Sequence, residues 1–419
     1  MTRSAILISI LLLAPAISRP AVCEGKEKPV PTRVTRDEHN RVLLNGKLWF
    51  PIIFTPFAPP LGAKDPHGRD AIEVLVAGGV DAFRIGRGLT TQDEQDKCAG
   101  YLDWFAEHGA YGMPYVSEPT VFDPKHPERK EALRRIVERF KDHPGLAIWK
   151  TMDEPAWGGS SPEGMREAYK FMKKIDPDHP VWIGHAPRNT LKTLREYYDA
   201  CDMAGLDIYP ISIPMGKHGH FPNKEISVVG DYAHWLNKAL YGKKPFFMIL
   251  QVCWSGVTPP NNILVMPTFR QERYMAYQAI INGARGLVFF GMPVALQGRD
   301  AELGYNWTFW DEVLHPLLME IGRGSELHSA LLAPDSKLPI EATGAPELEF
   351  AAREVGPFLY ILAAKREGPA KEIRFTGDFL RGEIEVMFEN RKIEAKDGAF
   401  TDSFEPFDVH VYRIRMANG

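Results

Sequence analysis

The chain has little cysteine, four in 419 residues, at positions 23, 98, 201 and 253. If Cys23 leaves with a cleaved leader or stays unpaired, three remain, so at least one is free. This excludes a disulfide framework, and the spacing fits no zinc pattern. Buried, small hydrophobic side chains are the simplest reading. Charge of one sign is also lacking. Fifty Lys and Arg against 54 Asp and Glu give a formal net charge of −4, so no general attraction to nucleic acid or anionic membrane is expected. No Gly-rich phosphate turn follows an early strand, which argues against a doubly wound dinucleotide-binding sheet. After the first twenty or so residues no apolar run is long enough to span a bilayer.

That leader is itself distinctive. Residues 1–21 read as a secretory signal peptide: Arg3 supplies the charge, Ala5 to Ala14 the apolar segment, and Ala14-Pro15-Ala16 and Ala16-Ile17-Ser18 offer small residues for cleavage. The mature protein is expected to be secreted or periplasmic, with no membrane contact after cleavage. Lipidation at Cys23 is disfavoured, because Pro20-Ala21-Val22 lacks the small residue expected before a lipidated Cys.

Two textures follow. Over residues 22–330, short apolar runs with polar C-terminal ends alternate with helical periodicity. The runs are Trp49–Phe54, Val80–Ile85, Tyr111–Val116, Leu146–Met152, Val181–Gly184, Met203–Ile208, Phe246–Leu250 and Gly286–Phe290. Leu133, Ile136, Val137 and Phe140 make one helical face inside the charged run from Glu128 to Lys141. Met165, Ala168, Met172 and Ile175 make another, with Ser161 as N-cap and Pro162 at the first helical position. Arg41 to Lys47 predicts a short strand and an Asn-Gly turn. Eight buried parallel strands with helical crossovers predict an α/β fold, a (β/α)8 TIM barrel. Over residues 331–419 helical periodicity stops. Leu348–Ala352, Phe358–Ala363, Glu372–Phe375, Glu383–Phe388 and Val409–Ile414 alternate with Gly, Asp and Asn turns, which predicts a C-terminal all-β sandwich.

In such a barrel the side chains at strand C-termini meet at one mouth. Taken in strand order these are Thr55 and Phe57; Arg84 and Arg87; Tyr115 and Glu118; Asp153 and Glu154; His185; Asp207 and Tyr209; then Gln251, Cys253 and Trp254. The eighth strand ends apolar. Trp157, just after the fourth strand, is a further candidate for the cleft wall. Acids, cations and aromatics converging there suit hydrolysis of a glycosidic bond. That reaction needs a protonated acid at the leaving oxygen and a second group at the oxocarbenium-like centre. A carboxyl in a partly apolar mouth has its pKa raised and can serve as that acid. No organic cofactor or metal is called for. His218 and His220 form a His-x-His with no third ligand nearby in sequence, and Asn306-Trp307-Thr308 is formally a glycosylation sequon.

Trp149 through Pro155 resembles the fourth-strand motif of the clan A (β/α)8 glycoside hydrolases, normally Asn-Glu-Pro and here Asp153-Glu154-Pro155. Asn45-Gly46-Lys47, Arg84, Gly205 to Pro210, Asn282 to Gly286 and the tail from Pro406 to Tyr412 fit the same superfamily, without selecting one family. The resemblance implies a carbohydrate substrate, Glu154 as general acid/base, and Arg84 and Tyr209 around the reacting sugar. It also exposes a departure, since the nucleophile of these enzymes is a Glu ending the seventh strand, where this chain has Gln251. Three repairs are open. Asp153 steers a substrate 2-acetamido group while Glu154 is the acid; or Asp207 acts as base or nucleophile; or the barrel binds carbohydrate and no longer hydrolyses it. Glu118, His185, Trp157 and Trp254 are expected beside the substrate in any of these.

Overall fold

The computed structural model describes residues 30–254, 264–294 and 296–416. The leader at 1–21 and Cys23 lie outside them. No helix among the described residues is long and apolar enough to cross a membrane.

The first described element is a small antiparallel sheet, β1 (Val34–Arg36), β2 (Val42–Leu44) and β3 (Lys47–Trp49). Asn45 and Gly46 both take positive φ at the β2–β3 turn, which is why an Asn-Gly pair sits there. Val34, Val42 and Trp49 pack into the same apolar cluster as the barrel interior, so this sheet plugs one end of the barrel.

The barrel strands are β4 (Ile52–Thr55), β5 (Ala82–Ile85), β6 (Tyr111–Pro114), β7 (Trp149–Asp153), β8 (Val181–His185), β9 (Met203–Asp207), β10 (Phe246–Gln251) and β11 (Leu287–Phe290). All neighbours are parallel, in the order β6-β5-β4-β11-β10-β9-β8-β7. Parallel bridges Gly112↔Leu146 and Tyr115↔Lys150 join β6 to β7 and close the cylinder. Alternate residues divide between two cores. Ile53, Ala82, Met113, Trp182, Phe247, Ile249 and Val288 fill the inside. Ile52, Phe83, Leu206, Met248 and Leu287 face the surrounding helices. Helix Glu128–Phe140 buries Leu133, Ile136, Val137 and Phe140. Helix Pro162–Ile175 starts with the Ser161 hydroxyl accepting from Gly164 N–H at 3.1 Å.

Trp182 is a large ring for a barrel interior, and the neighbouring strand makes room for it. A methyl group added at Gly205 on β9 would overlap the Trp182 indole. Gly205→Ala is therefore expected to destabilise the fold by about 1–3 kcal/mol, the usual cost of overpacking. It should lower the urea midpoint without changing the slope; an unmoved midpoint would show that the indole has another place to go.

The C-terminal part is a sandwich of two antiparallel sheets. One contains β12 (Glu341–Thr343), β15 (Lys371–Thr376) and β18 (Ala399–Phe404). The other contains β13 (Leu348–Val355), β14 (Phe358–Lys365), β19 (Val409–Arg415), β16 (Gly382–Val386) and β17 (Arg391–Ala395). Ile361, Ile373, Phe375, Phe400 and Tyr412 form the core between them. Arg366 makes two hydrogen bonds to the Asp231 carboxylate, at 2.9 and 3.0 Å. Tyr274 meets Phe407 edge-on, so the sandwich is tied to the outer helices of the barrel.

Candidate active site

The C-terminal ends of the strands enclose a cavity of about 290 Å³. Arg84, Asp153, Glu154, Asp207, Tyr209 and Trp254 line it, joined by Lys150, Trp182 and His218. Met113, Ile249, Val288 and Phe290 supply its apolar floor and sides.

Strand β7 provides three of the charged groups through a local irregularity. Trp149 points outward, where its indole N–H donates to Asp176 at 2.7 Å. Lys150 points inward. The pairing with β8 then shifts register between Lys150 and Asp153, so both reach the interior although they are three residues apart. Lys150 Nζ donates to Asp153 Oδ1 at 2.6 Å. The rings of Trp182 and Tyr115 flank the ammonium at 4.7 and 4.9 Å. Burial pulls the Lys150 pKa down, and the Asp153 charge opposes that pull. Glu154 follows with φ of 44°, in the left-handed region that a non-glycine residue occupies at a cost. Its N–H donates to Gly184 O at 2.8 Å, and its carbonyl accepts from Gly158 N–H, which hold it there.

Two strands along from β7, β9 ends in Asp207. The Asp207 and Glu154 carboxyls line the same cavity, close enough for each to influence the other's ionisation. Burial, then the charges of Glu154 and Asp153, push the Asp207 pKa well above the ordinary carboxylate value. Burial also raises Glu154, against the hydrogen bond from Asp207. The pair is thus a unit that keeps one proton to higher pH than an isolated carboxylic acid would.

His218 backs this pair. Its Nδ1 accepts from Tyr209 N–H at 3.1 Å, which leaves the proton on Nε2, 3.6 Å from Asp207 Oδ2. Burial pulls the His218 pKa down to about 3, so the ring stays neutral. Tyr209 is stacked between His218 and Phe290, with centroids at 4.4 and 5.5 Å. Trp254 meets His218 edge-on at 4.8 Å. Among the described residues, Trp182 Nε1, Trp254 Nε1, Arg84 Nε and Asp207 Oδ1 are buried without a protein partner. Such groups in a cavity wall are what a polyhydroxylated ligand can satisfy.

Four residues expected beside the substrate stand apart from this cavity. Gln251 is fully buried, and its amide is spent on the backbone. Oε1 accepts from Ile211 N–H and Nε2 donates to Ile211 O, both at 2.9 Å. It pins the loop after β9 instead of facing the mouth. Glu118 turns onto the Ser117 hydroxyl and lines a separate surface hollow with Phe122 and Arg129. Trp157 is 56% exposed, with Arg188 over its ring at 5.1 Å. His185 is buried behind the wall against Tyr197. Burial, and then the Lys150 charge, pull its pKa down to about 4. His218 and His220 diverge, the second bonding Pro187 O at 2.6 Å. Among the described residues no group of three or more His, Cys, Asp or Glu side chains could hold a metal.

The role of Gln251 can be tested directly. Gln251→Glu removes the donor to Ile211 O and buries a carboxylate. It is expected to cost about 1–3 kcal/mol of stability, read by urea unfolding, without improving hydrolysis. A rise in glycoside turnover in that variant would place residue 251 at the reacting sugar after all.

The closed (β/α)8 barrel with a β-sandwich behind it is a fold this chain shares with solved structures of glycoside hydrolases. Among solved structures the chain is similar to one described as a glycoside hydrolase. The two are 14% identical, the match covers 92% of this chain and 97% of that one, and the TM-score is 0.59. It is similar also to a family 5 glycoside hydrolase from Bacteroides vulgatus, at 14% identity, 92% and 94% coverage and TM-score 0.59. An Anoxybacillus alpha-amylase matches at 10% identity, 88% and 98% coverage and TM-score 0.57. No protein-family model matches the chain, and no curated protein does.

Proposed function

We propose that this chain is an exported glycoside hydrolase in which Glu154 and Asp207 work as one acid/base unit. The observation that carries the reading is the placement of these two carboxyls together at the wall of one cavity that also holds unpaired donors. Asp207 stores the proton. Glu154, less deeply buried, passes it to the glycosidic oxygen as the bond to the anomeric carbon breaks. The charge left on the pair faces the oxocarbenium-like centre and stabilises it, with Asp153 close by on Lys150. Water then adds to that carbon and returns its proton to the pair, so one water is consumed and the protein is regenerated. In this reading the two acids serve one face of the sugar as a unit.

One observation favours a second reading, a barrel that binds carbohydrate without cleaving it: β10 brings no carboxylate to the mouth. The two readings separate on a panel of aryl glycosides of both anomers, 2-acetamido sugars included. Turnover that Glu154→Ala abolishes supports the hydrolase. Turnover unchanged in that variant would sink the acid assignment, and sugar binding with no turnover would leave the binding protein. Activity confined to 2-acetamido glycosides would move Asp153 into the leading role.

A further inference from the structure

Arg84 is the one large charge in the cavity that no protein group answers among the described residues. It is 6% exposed, yet among the described residues it has no carboxylate within 4.0 Å and no hydrogen bond to a protein acceptor, and its Nε is buried without a partner there. The rings of Tyr115 and Phe57 flank the guanidinium at 4.8 and 5.1 Å. Ring faces offset part of the charge, but they take none of the in-plane N–H bonds. The carboxylate that most favours the charged form of Arg84 is Asp153. Its Oδ1 is already held by Lys150 at 2.6 Å. Two cations, Arg84 and Lys150, thus share one carboxylate, and Arg87 adds a third positive charge at the rim.

The cations and the acid pair are arranged on opposing sides. Arg84 is on β5 and Asp207 on β9, four strands apart in a ring of eight and therefore on facing walls. A ring-sized ligand whose glycosidic oxygen meets Glu154 and Asp207 presents its far substituent to Arg84. A neutral hydroxyl there would satisfy one N–H. A planar oxyanion would satisfy two in parallel and neutralise the charge, which the guanidinium fork is shaped to accept. Placed on that wall, the anion is also kept away from the acid pair.

We infer that the cavity selects sugars carrying an oxyanion, a uronate carboxylate or a sulfate ester, and that Arg84 receives it. The inference rests on the carbohydrate reading above and deepens it. The test is calorimetric titration of the full chain with glucuronate, galacturonate, glucose 6-sulfate and glucose. Free sugars equilibrate between anomers, so no anomeric preference need be assumed. The expected result is at least tenfold tighter binding of one or more acidic sugars than of glucose. That advantage should shrink as KCl is raised and disappear in Arg84→Gln. Preference for the uronates identifies a carboxylate as the source, and preference for the sulfate an ester. Glucose binding as tightly as the acidic sugars, or no binding by any of them, overturns the inference whatever the variant does. So does an acidic preference that survives intact in a folded Arg84→Gln. Should that variant fail to fold, Arg84→Lys keeps the charge but loses the fork, and is expected to lose most of the advantage; an undiminished advantage there also overturns it. Acidic-sugar binding without turnover of any glycoside would leave this inference standing while removing the hydrolase reading. Turnover of neutral glycosides alone would do the reverse.

Discussion

Replacing Glu154 by glutamine is expected to lower kcat/KM on alkyl glycosides by about 10²–10⁴-fold, the usual contribution of a positioned general acid. The substitution preserves size and lets the strained backbone at φ of 44° stay as it is. An amide also still accepts a hydrogen bond from Asp207, so the cavity wall keeps its shape. Only the ability to pass a proton to the leaving oxygen goes. Steady-state kinetics on wild type and variant check this, with circular dichroism to confirm the fold. A loss under about threefold on a poor leaving group would take Glu154 out of the reaction.

Asp207→Asn is the second large effect, and it has two separable consequences. Turnover should fall by a comparable factor, because the pair loses its proton store while the asparagine amide still donates to Glu154. The descending limb of the pH–rate profile, which follows loss of the shared proton, should shift or vanish with it. Stability should change in the opposite sense. The folded-state pKa of Asp207 is raised well above its unfolded value by burial and the neighbouring charges of Glu154 and Asp153. Its contribution is therefore full below the ordinary carboxylate range and is lost as pH rises from there through the folded value. Asparagine does not titrate. Between acidic and mildly alkaline pH, wild type should lose more unfolding free energy than Asp207→Asn, as read by urea titration at a series of pH values. Parallel pH dependences in the two proteins would show that Asp207 is not held protonated by the fold.

Much of the barrel was legible because its strands are buried on both faces and so read as unbroken apolar runs. Ser161-Pro162 and Asn45-Gly46 marked a helix start and a hairpin for local reasons that tertiary context did not override. The sandwich was less legible. β12, β17 and β18 went unrecognised because Arg391-Lys392-Ile393-Glu394-Ala395, for example, has a single apolar residue between charges and gains its strand conformation only by pairing with β16. The site divides in the same way. Residues delivered by strand ends, Arg84, Asp153, Glu154 and Asp207, could be placed from the strand count. Lys150 could have been noticed as a cation inside an apolar run. Its partnership with Asp153, however, depends on a register shift that no alternation rule anticipates. His218 reaches the cavity through the fold of the long loop after β9, and Gln251 is drawn away from the mouth by that loop's backbone. Both are tertiary events. The pairing of the two acids is of this kind too. Glu154 and Asp207 are more than fifty residues apart in sequence, and only the curvature of the closed sheet brings their carboxyls together.

The most direct measurement is a leaving-group series. Aryl and alkyl glycosides of one sugar, ranging from dinitrophenyl to methyl, would be hydrolysed by wild type and by Glu154→Gln. If the carboxyl pair protonates the departing oxygen, the variant's deficit should be small for dinitrophenyl, which leaves without help. It should grow steadily with leaving-group basicity toward the full loss on methyl. A deficit of the same size across the whole series would contradict proton delivery by Glu154.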